Sequence, residues 1–176
     1  MLQILNSTRD DIGTIFNLYD AAIAFQKIKF NKHWLGFDAS LIEREVDESR
    51  QFKLVAGETV VCIFAITFND ALIWGEHEKS PAVYIHRIVT HPAYHGNGYV
   101  KNIVQWAVQY ARENGSAFVR MDTWGDNQKL IDYYTNCGFR FIGLSHVIQD
   151  DTLPRHYQGN RLSLFEIAVE DHQPPA

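Results

Sequence analysis

The chain is poor in several things, and each shortage removes a class of function. No window of its 176 residues approaches the ~18 consecutive apolar residues that a bilayer-spanning helix needs, so no membrane partner is expected. It begins MLQILNSTRDD, without a basic segment running into an apolar one, so no secretory signal is read there and the cytoplasm is the expected location. Basic residues are not in excess: 16 Lys and Arg stand against 21 Asp and Glu, a net charge of -5, which argues against nucleic acid as a partner. Cysteine is scarce. Cys62 in VVCIF and Cys137 in NCGF both sit in apolar surroundings and read as small buried fillers rather than disulfide partners, ligands or nucleophiles. No His, Cys and carboxylate spacing suggests a metal site. There is no internal repeat and no linker, so one α+β domain with a mixed sheet is expected over residues 1–176.

What is present is a series of short strands and amphipathic helices. LQIL (Leu2–Leu5) reads as a strand, and Ser7 or Thr8 caps a helix carrying Ile12, Ile15, Phe16, Tyr19 and Ile23 at helical spacing. Ser40-Leu41-Ile42-Glu43 fits a capping box, predicting a second helix over Ala39 to Glu48. QFKLVAGETVVCIFAITF reads as a hairpin turning at Gly57-Glu58, and Leu72–Gly75 as a short strand. Ala82–Thr90 is a strand, Gly98–Asn114 a helix ended by Gly115, and AFVRMDT another strand. Asp126 is expected to cap a helix from Asn127 to about Asn136, followed by strands in FRFIGLSHVIQ and RLSLFEIAV and a frayed tail.

Between the strand Ala82–Thr90 and its helix lies YHGNGYVKN, Tyr94 to Asn102. Strand, glycine loop and helix together make an anion device. The first helical turn exposes unpaired N–H groups, and glycine allows close approach and positive φ. A dinucleotide, a nucleoside triphosphate, the pyrophosphate of coenzyme A or no ligand at all would each be compatible. A dinucleotide fold would want a third glycine where Lys101 stands, and the G-x-x-x-x-G-K-[ST] phosphate loop is absent.

The stretch VTHPAYHGNGYVKNIVQWAVQYA, followed by DNQKLIDYYTNCGFRFIG, resembles the GNAT superfamily of acetyl-CoA-dependent N-acetyltransferases. Its glycine motif, [QR]-x-x-G-x-[GA], follows a strand ending in a V-H-P-like turn. Its second signature is an Asn opening a short helix, a Tyr seven residues on, and Gly-Phe four residues later. Asn127, Tyr134 and Gly138-Phe139 keep that spacing. The likeness runs from about Tyr84 to Gly143. Two positions depart from the pattern: His95 stands where Gln or Arg is usual, and Val100 replaces the final small residue.

The resemblance implies a splayed, mixed but largely antiparallel sheet flanked by helices, with residues 1–80 forming the acceptor side. Residues 81–145 would form the acetyl-CoA-binding core, residues 146–170 the last strands and residues 171–176 the tail. Acetyl-CoA, as acetyl donor and without a metal, would pair its pantetheine amides with the backbone of Ile88, Val89 and Thr90. Its pyrophosphate would rest on the N–H groups of His95, Gly96, Asn97, Gly98, Tyr99, Val100 and Lys101. Asn127 would bond the pantetheine arm, or only cap its helix.

Acetyl transfer to an amine poses two proton problems. The ammonium form, with a pKa near 10.4, must lose a proton before it attacks, an obstacle of roughly 4–5 kcal/mol at pH 7. The departing thiolate leaves more easily if protonated. Tyr134 is the expected acid, from the family position. The strand that precedes the glycine loop holds no carboxylate, and its alternation puts Tyr84, His86 and Ile88 on one face, with Val83, Ile85 and Arg87 on the other. His86 is therefore the candidate base, or else a satisfied structural histidine, with His33, His77, Asp122 and Glu76 in reserve. Phe30, Trp34, Phe37, Tyr84 and Trp124 would line an acceptor pocket, although the aromatic residues of KFNKHWLGF would serve equally as satellite core. The expected function is N-acetyl transfer in a ternary complex to a small-molecule or peptide amine, with a homodimer left open. An O-acetyltransferase and a non-catalytic CoA-binding sensor of the same fold are the rivals.

Overall fold

Alternating apolar strands and one-sided helices give the element order directly. The computed structural model describes residues 1–171; of the expected tail, residues 171–176, Asp171 lies in a turn and the rest falls outside the described residues. Seven strands are hydrogen-bonded in the order β1-β2-β3-β4-β5-β7-β6: β1 Leu2–Asn6, β2 Gln51–Ala56, β3 Thr59–Thr67, β4 Ala82–Thr90, β5 Phe118–Trp124, β6 Arg140–Leu144 and β7 Leu162–Ala168. The helices are α1 Ile12–Lys29, α2 Ala39–Asp47, α3 Ala71–Trp74, α4 Tyr99–Glu113 and α5 Gln128–Asn136. The described pairings are antiparallel except β4 with β5. This is the mixed α+β class the sequence led us to expect.

The chain divides into two compact units. The first comprises residues 1–65, 87–99 and 154–156; the second comprises 66–86, 100–153 and the residues from 157 onward. In the first, β1 pairs with β2 and β2 with β3, turning at Gly57 with φ +64°. Its core gathers Ile15, Leu18 and Tyr19 from α1, Ile42 and Val46 from α2, Ile63 from β3 and Val89 from β4. Arg87, inside β4, has φ +51°, uncommon for a residue other than glycine. Its guanidinium is held by the Glu45 carboxylate and by the Tyr19 hydroxyl at 3.2 Å, and it lies 5.2 Å from the Phe37 ring. His156 sets its ring edge against Phe37 at 5.6 Å, and its pKa is pushed down to about 4 by burial first and by the Arg87 charge second.

In the second unit one row of polar side chains crosses four strands at a single rung. Tyr84 stands opposite Arg120, Arg120 opposite Glu166, and Glu166 opposite Arg140. Arg120 donates to the Tyr84 hydroxyl at 3.0 Å and to the Glu166 carboxylate at 2.8 Å, while Arg140 donates to the other Glu166 oxygen at 3.1 Å. The Arg120 guanidinium is enclosed by Trp74, Phe118 and Tyr84, with centroids at 4.9, 4.8 and 5.7 Å. Nothing in the sequence reading foresaw this buried row. Helix α4 buries Val100, Ile103, Val104, Ala107, Val108 and Ala111, the stripe expected of it.

Several boundaries differ from the sequence reading, each for a local reason. Leu72–Gly75 is not a strand: Ala71–Trp74 is a helical turn, and the Asp70 carbonyl accepts from Ile73 N at 3.1 Å and Trp74 N at 2.9 Å. A four-residue apolar run cannot separate the two conformations by periodicity. Ser40 does not cap α2, because Asp38 holds the N-cap place and Ser40 lies inside the first turn. A short 3-10 turn, Arg9–Asp11, precedes α1, with the Asp11 carboxylate accepting from Thr8 N at 2.7 Å. Asn127, not Asp126, caps α5. The strand in FRFIGLSHVIQ stops at Leu144, after a slip between Phe141 and Gly143, where Gly143 takes φ +140°. Both cysteines are free and buried, and burial pushes the Cys62 thiol up to about 11, which removes it as a nucleophile at neutral pH.

Two stability outcomes follow from these buried charges. Glu166→Ala leaves the Arg120 guanidinium uncompensated and should cost about 3–5 kcal/mol, whereas Arg140→Ala, at the exposed end of the row, should cost under about 1 kcal/mol. Urea unfolding of both variants tests this, and equal losses would refute it. For His156 the folded state declines a proton that the unfolded chain accepts below about 6.5, so stability should fall as pH drops from about 6.5 to about 4. The difference curve between wild type and His156→Gln isolates this contribution, expected to reach about 2–3 kcal/mol at pH 4.5.

Candidate functional site

The glycine loop is built as the sequence suggested. Strand β4 runs into His91 and the single turn Pro92–Tyr94, and the loop then passes through Gly96 and Gly98 into α4 at Tyr99. Gly96 has φ +86° and Gly98 φ +72°, so both lie in the left-handed region that glycine alone enters freely. A Cβ built on either would meet no atom within 4 Å, so the space in front of them is open. Asn97 steadies the loop by donating to the Tyr94 carbonyl at 2.8 Å. A 15-residue helix follows, with its first-turn N–H groups unclaimed by its own ladder. Open space, left-handed glycines and a helix start together suit a phosphate or pyrophosphate group.

The two departures from the family pattern have structural accounts. Val100 is 7% exposed and points into the core, so its branch does not enter the loop's open side. His95 places its ring 5.3 Å from Phe25, with Nε2 3.1 Å from the Thr90 carbonyl. Ile88 is half-buried. Val89 turns its side chain into the core, leaving only backbone for any ligand, and the Thr90 hydroxyl lies 3.6 Å from Cys62 Sγ. Lys101 is exposed on the first turn of α4.

The second constellation lies in the second unit. The parallel ladder between β4 and β5 runs from Ala82 opposite Phe118 to Ile85 opposite Met121. His86 and Asp122 are the next residues of the two strands, and they follow Tyr84 and Arg120 on one face by the two-residue period. Asp70, the residue before α3, comes onto the same place: its Oδ2 is 3.2 Å from His86 Nε2. The imidazole and two carboxylates bring one ligand atom each within 4.8 Å of one another. The His86 and Asp70 side chains are only 14% and 10% exposed. Asp122 has its pKa raised to about 7, by burial first and by the Asp70 charge, against the opposing pull of His86.

The other expected residues are placed as follows. Tyr134, on α5, is half-buried, its ring tilted over Phe165 at 5.4 Å and edge-on to Phe139 at 6.3 Å; Tyr133 beside it is exposed. The Asn127 side-chain oxygen accepts from Lys129 N at 3.1 Å and Leu130 N at 3.4 Å, the capping role of its two alternatives. Trp34 and Phe37 pack on Tyr19 at 6.1 and 4.8 Å, part of the first unit's core, while Phe30 stays exposed beside Phe25. Tyr84 is 1% exposed with its hydroxyl committed to Arg120, and Trp124 packs against the cluster around Trp74. Among the reserves, only Asp122 joins His86. His33 has Nδ1 2.8 Å from the Trp34 carbonyl, His77 lies edge-on to Trp74, and Glu76 faces Lys79 at 3.7 Å. Asp70 went unnoticed in the sequence because its segment read as a strand. An Asp directly before Ala-Leu-Ile-Trp is a helix-start signal that could have revealed it.

A family model described as the acetyltransferase (GNAT) family matches residues 21–139. An uncharacterised N-acetyltransferase of Methanocaldococcus jannaschii is 27% identical over 139 residues, covering 77% of this chain and 59% of that protein. The chain spans 41% and 59% of the length of the curated relatives it matches. A GNAT-family acetyltransferase structure from Listeria monocytogenes superposes with a TM-score of 0.74 at 20% identity, over 94% of this chain and 95% of that one. A putative acetyltransferase of Salmonella typhimurium, solved with its cofactor acetyl-CoA, gives 0.68 at 13% identity over 99% and 98%. These likenesses share the fold, and the family match takes in the glycine loop and the Asn127–Tyr134–Gly138 signature: the chain belongs to the GNAT acetyltransferase family.

Proposed function

We propose that the protein transfers an acetyl group from acetyl-CoA to a primary amine of a small molecule or peptide, by direct attack, in the cytoplasm. The observation that carries this reading is the glycine loop: two left-handed glycines with open space before them, at the start of a long helix, inside the segment matched by the family model. When bound, the donor supplies an activated thioester, so no protein nucleophile is called for.

The chain's own residues then have three tasks. The N–H groups from His95 to Lys101 take the pyrophosphate, with Gly96 and Gly98 allowing close approach, and the backbone of Ile88, Val89 and Thr90 takes the pantetheine amides. Tyr134 holds the proton that goes to the sulfur as the C–S bond breaks. Its ring is packed on Phe165, which limits the rotamers of its hydroxyl. His86 accepts the proton that the acceptor's ammonium must lose before its nitrogen can attack. Orientation of the two substrates supplies much of the remaining rate. That no helix among the described residues is long and apolar enough to cross a membrane accords with this picture.

The loop is tested by Gly98→Asn and Gly98→Val. Asparagine tolerates positive φ, so this variant should stay folded while its side chain fills the space before the helix. Its affinity for CoA, read by calorimetry or thermal shift, should fall at least about tenfold, on the scale of a lost charge-assisted contact. Valine adds backbone strain to the same obstruction. Undiminished CoA binding in a folded Gly98→Asn protein would sink the assignment.

Tyr134→Phe should lower kcat by about ten- to a thousand-fold, with CoA affinity retained. Single-turnover transfer at the wild-type rate would rule the tyrosine out. A protein that binds CoA tightly and acetylates no member of an amine panel would instead be the non-catalytic sensor of the same fold.

A further inference from the structure

The strand before the glycine loop carries no carboxylate, yet two carboxylates reach its single histidine from other elements. Asp122 arrives from β5 because the ladder register sets residue 122 beside residue 86, one step past the last paired rung. Asp70 arrives from the start of α3, with its own backbone N–H bonded to the Glu78 carboxylate. On the preceding rung the Arg120 charge is already committed to Glu166, and the Tyr84 hydroxyl accepts from Arg120. The charges that act on Asp122 are those of His86, which lowers its pKa, and of Asp70, which raises it. The trio is well shielded from water, and its ligand atoms are within 4.8 Å of one another.

We propose that Asp122 and His86 accept the acceptor's proton as a coupled pair, and that Asp70 is a positioning residue that holds the imidazole. This rests on the acetyl-transfer reading and extends it to a second strand. An isolated histidine answers for the proton alone. A histidine set against an aspartate titrates jointly with it, in steps that belong to both groups. Burial and the neighbouring Asp70 charge hold the Asp122 carboxyl at about 7, where a general base is most effective near neutral pH. In the step itself one N–H bond of the ammonium breaks and its proton goes to the Asp122 oxygen or the imidazole nitrogen. The freed nitrogen pair attacks the acetyl carbon, and the C–S bond breaks as Tyr134 gives its proton to sulfur. The second nitrogen proton restores the Tyr134 hydroxyl, and the proton held by the pair passes to water. The trio thus gains one unit of positive charge and the amine loses one.

The test uses the full chain and begins with the wild type, by CoA release across a panel of primary amines, followed by kcat/KM against pH with the amine that serves best. Asp122→Asn should lower kcat/KM about 10²–10³-fold, with CoA affinity unchanged. Asp70→Asn should move the acid limb to lower pH by about one unit, because losing that carboxylate disfavours the protonated form of both partners. A merely structural Asp70 would lower the rate at every pH and leave the limb in place. Titration of the His86 ring followed by NMR gives a readout that needs no turnover. The wild type should show two inflections, one of which disappears in Asp122→Asn, and Asp70→Asn should shift both downward. Identical His86 titrations in wild type and both variants would overturn the proposal. So would activity that is lost on chelation and restored by a divalent cation. Failure of the acetyl-transfer reading looks different: no transfer by the wild type to any amine, with the coupled titration intact.

Discussion

The rung that holds Tyr84, Arg120, Glu166 and Arg140 is the constraint on which the second unit depends. Four strands meet there, and the two innermost charges are 3% and 7% exposed. A strand displaced by one residue turns its whole side-chain set to the opposite face. For β5 that would carry the Arg120 guanidinium away from Glu166 and from the three rings that enclose it, leaving a buried charge without its partner. Buried ion pairs of this kind are weak sources of net stability but costly to break, which suits them to fixing register. The candidate site inherits this: with Arg120 fixed opposite Tyr84, the next same-face positions are His86 and Asp122, and no separate device is needed to bring them together.

A second fixed point sits one residue along β4. Arg87 occupies a left-handed conformation that costs a residue with a side chain about 1–3 kcal/mol. Its guanidinium is bound by Glu45 from α2 and Tyr19 from α1, so this conformation is held from the first unit's own core. His86 and Arg87 are thus adjacent in sequence and anchored to different partners, Asp70 for one and Glu45 for the other. The left-handed conformation at Arg87 also ends the simple alternation on which the sequence reading of β4 relied. That alternation holds for Tyr84 and His86, which precede it.

The fold was legible in the sequence wherever the signal was local. The stripe on α4, the glycines at 57, 96, 98 and 115, and the Asn127–Tyr134–Gly138 spacing all report conditions that a few neighbouring residues impose by themselves. Asp122 was weighed only as a reserve, and Asp70 not at all, because their relation to His86 depends on which strand lies beside β4 and in what register. Strand adjacency is a tertiary choice. The same holds for Arg120 and Glu166: charged residues in strands read as solvent-facing until the partner strand is known. The short helix at Ala71–Trp74 failed for a different reason, being too brief for either period to show.

The proposed pair also gives a strand without a carboxylate a way to serve acid–base chemistry. A side chain on β4 at position 86 is followed at once by the left-handed Arg87, where the regular extended backbone is interrupted. A neighbouring parallel strand in register supplies an equivalent position one strand spacing away, about 4.8 Å, within reach of an imidazole. Parallel strands place these neighbours side by side on the same face. Burial then does the rest. A carboxyl kept from water beside a second carboxylate binds its proton more tightly, and the imidazole is the one group in the trio able to offset those charges. An exposed aspartate at the same position would be fully ionised and weakly basic at neutral pH. The proposed chemistry therefore depends less on which strand carries the carboxylate than on the register that sets it against His86.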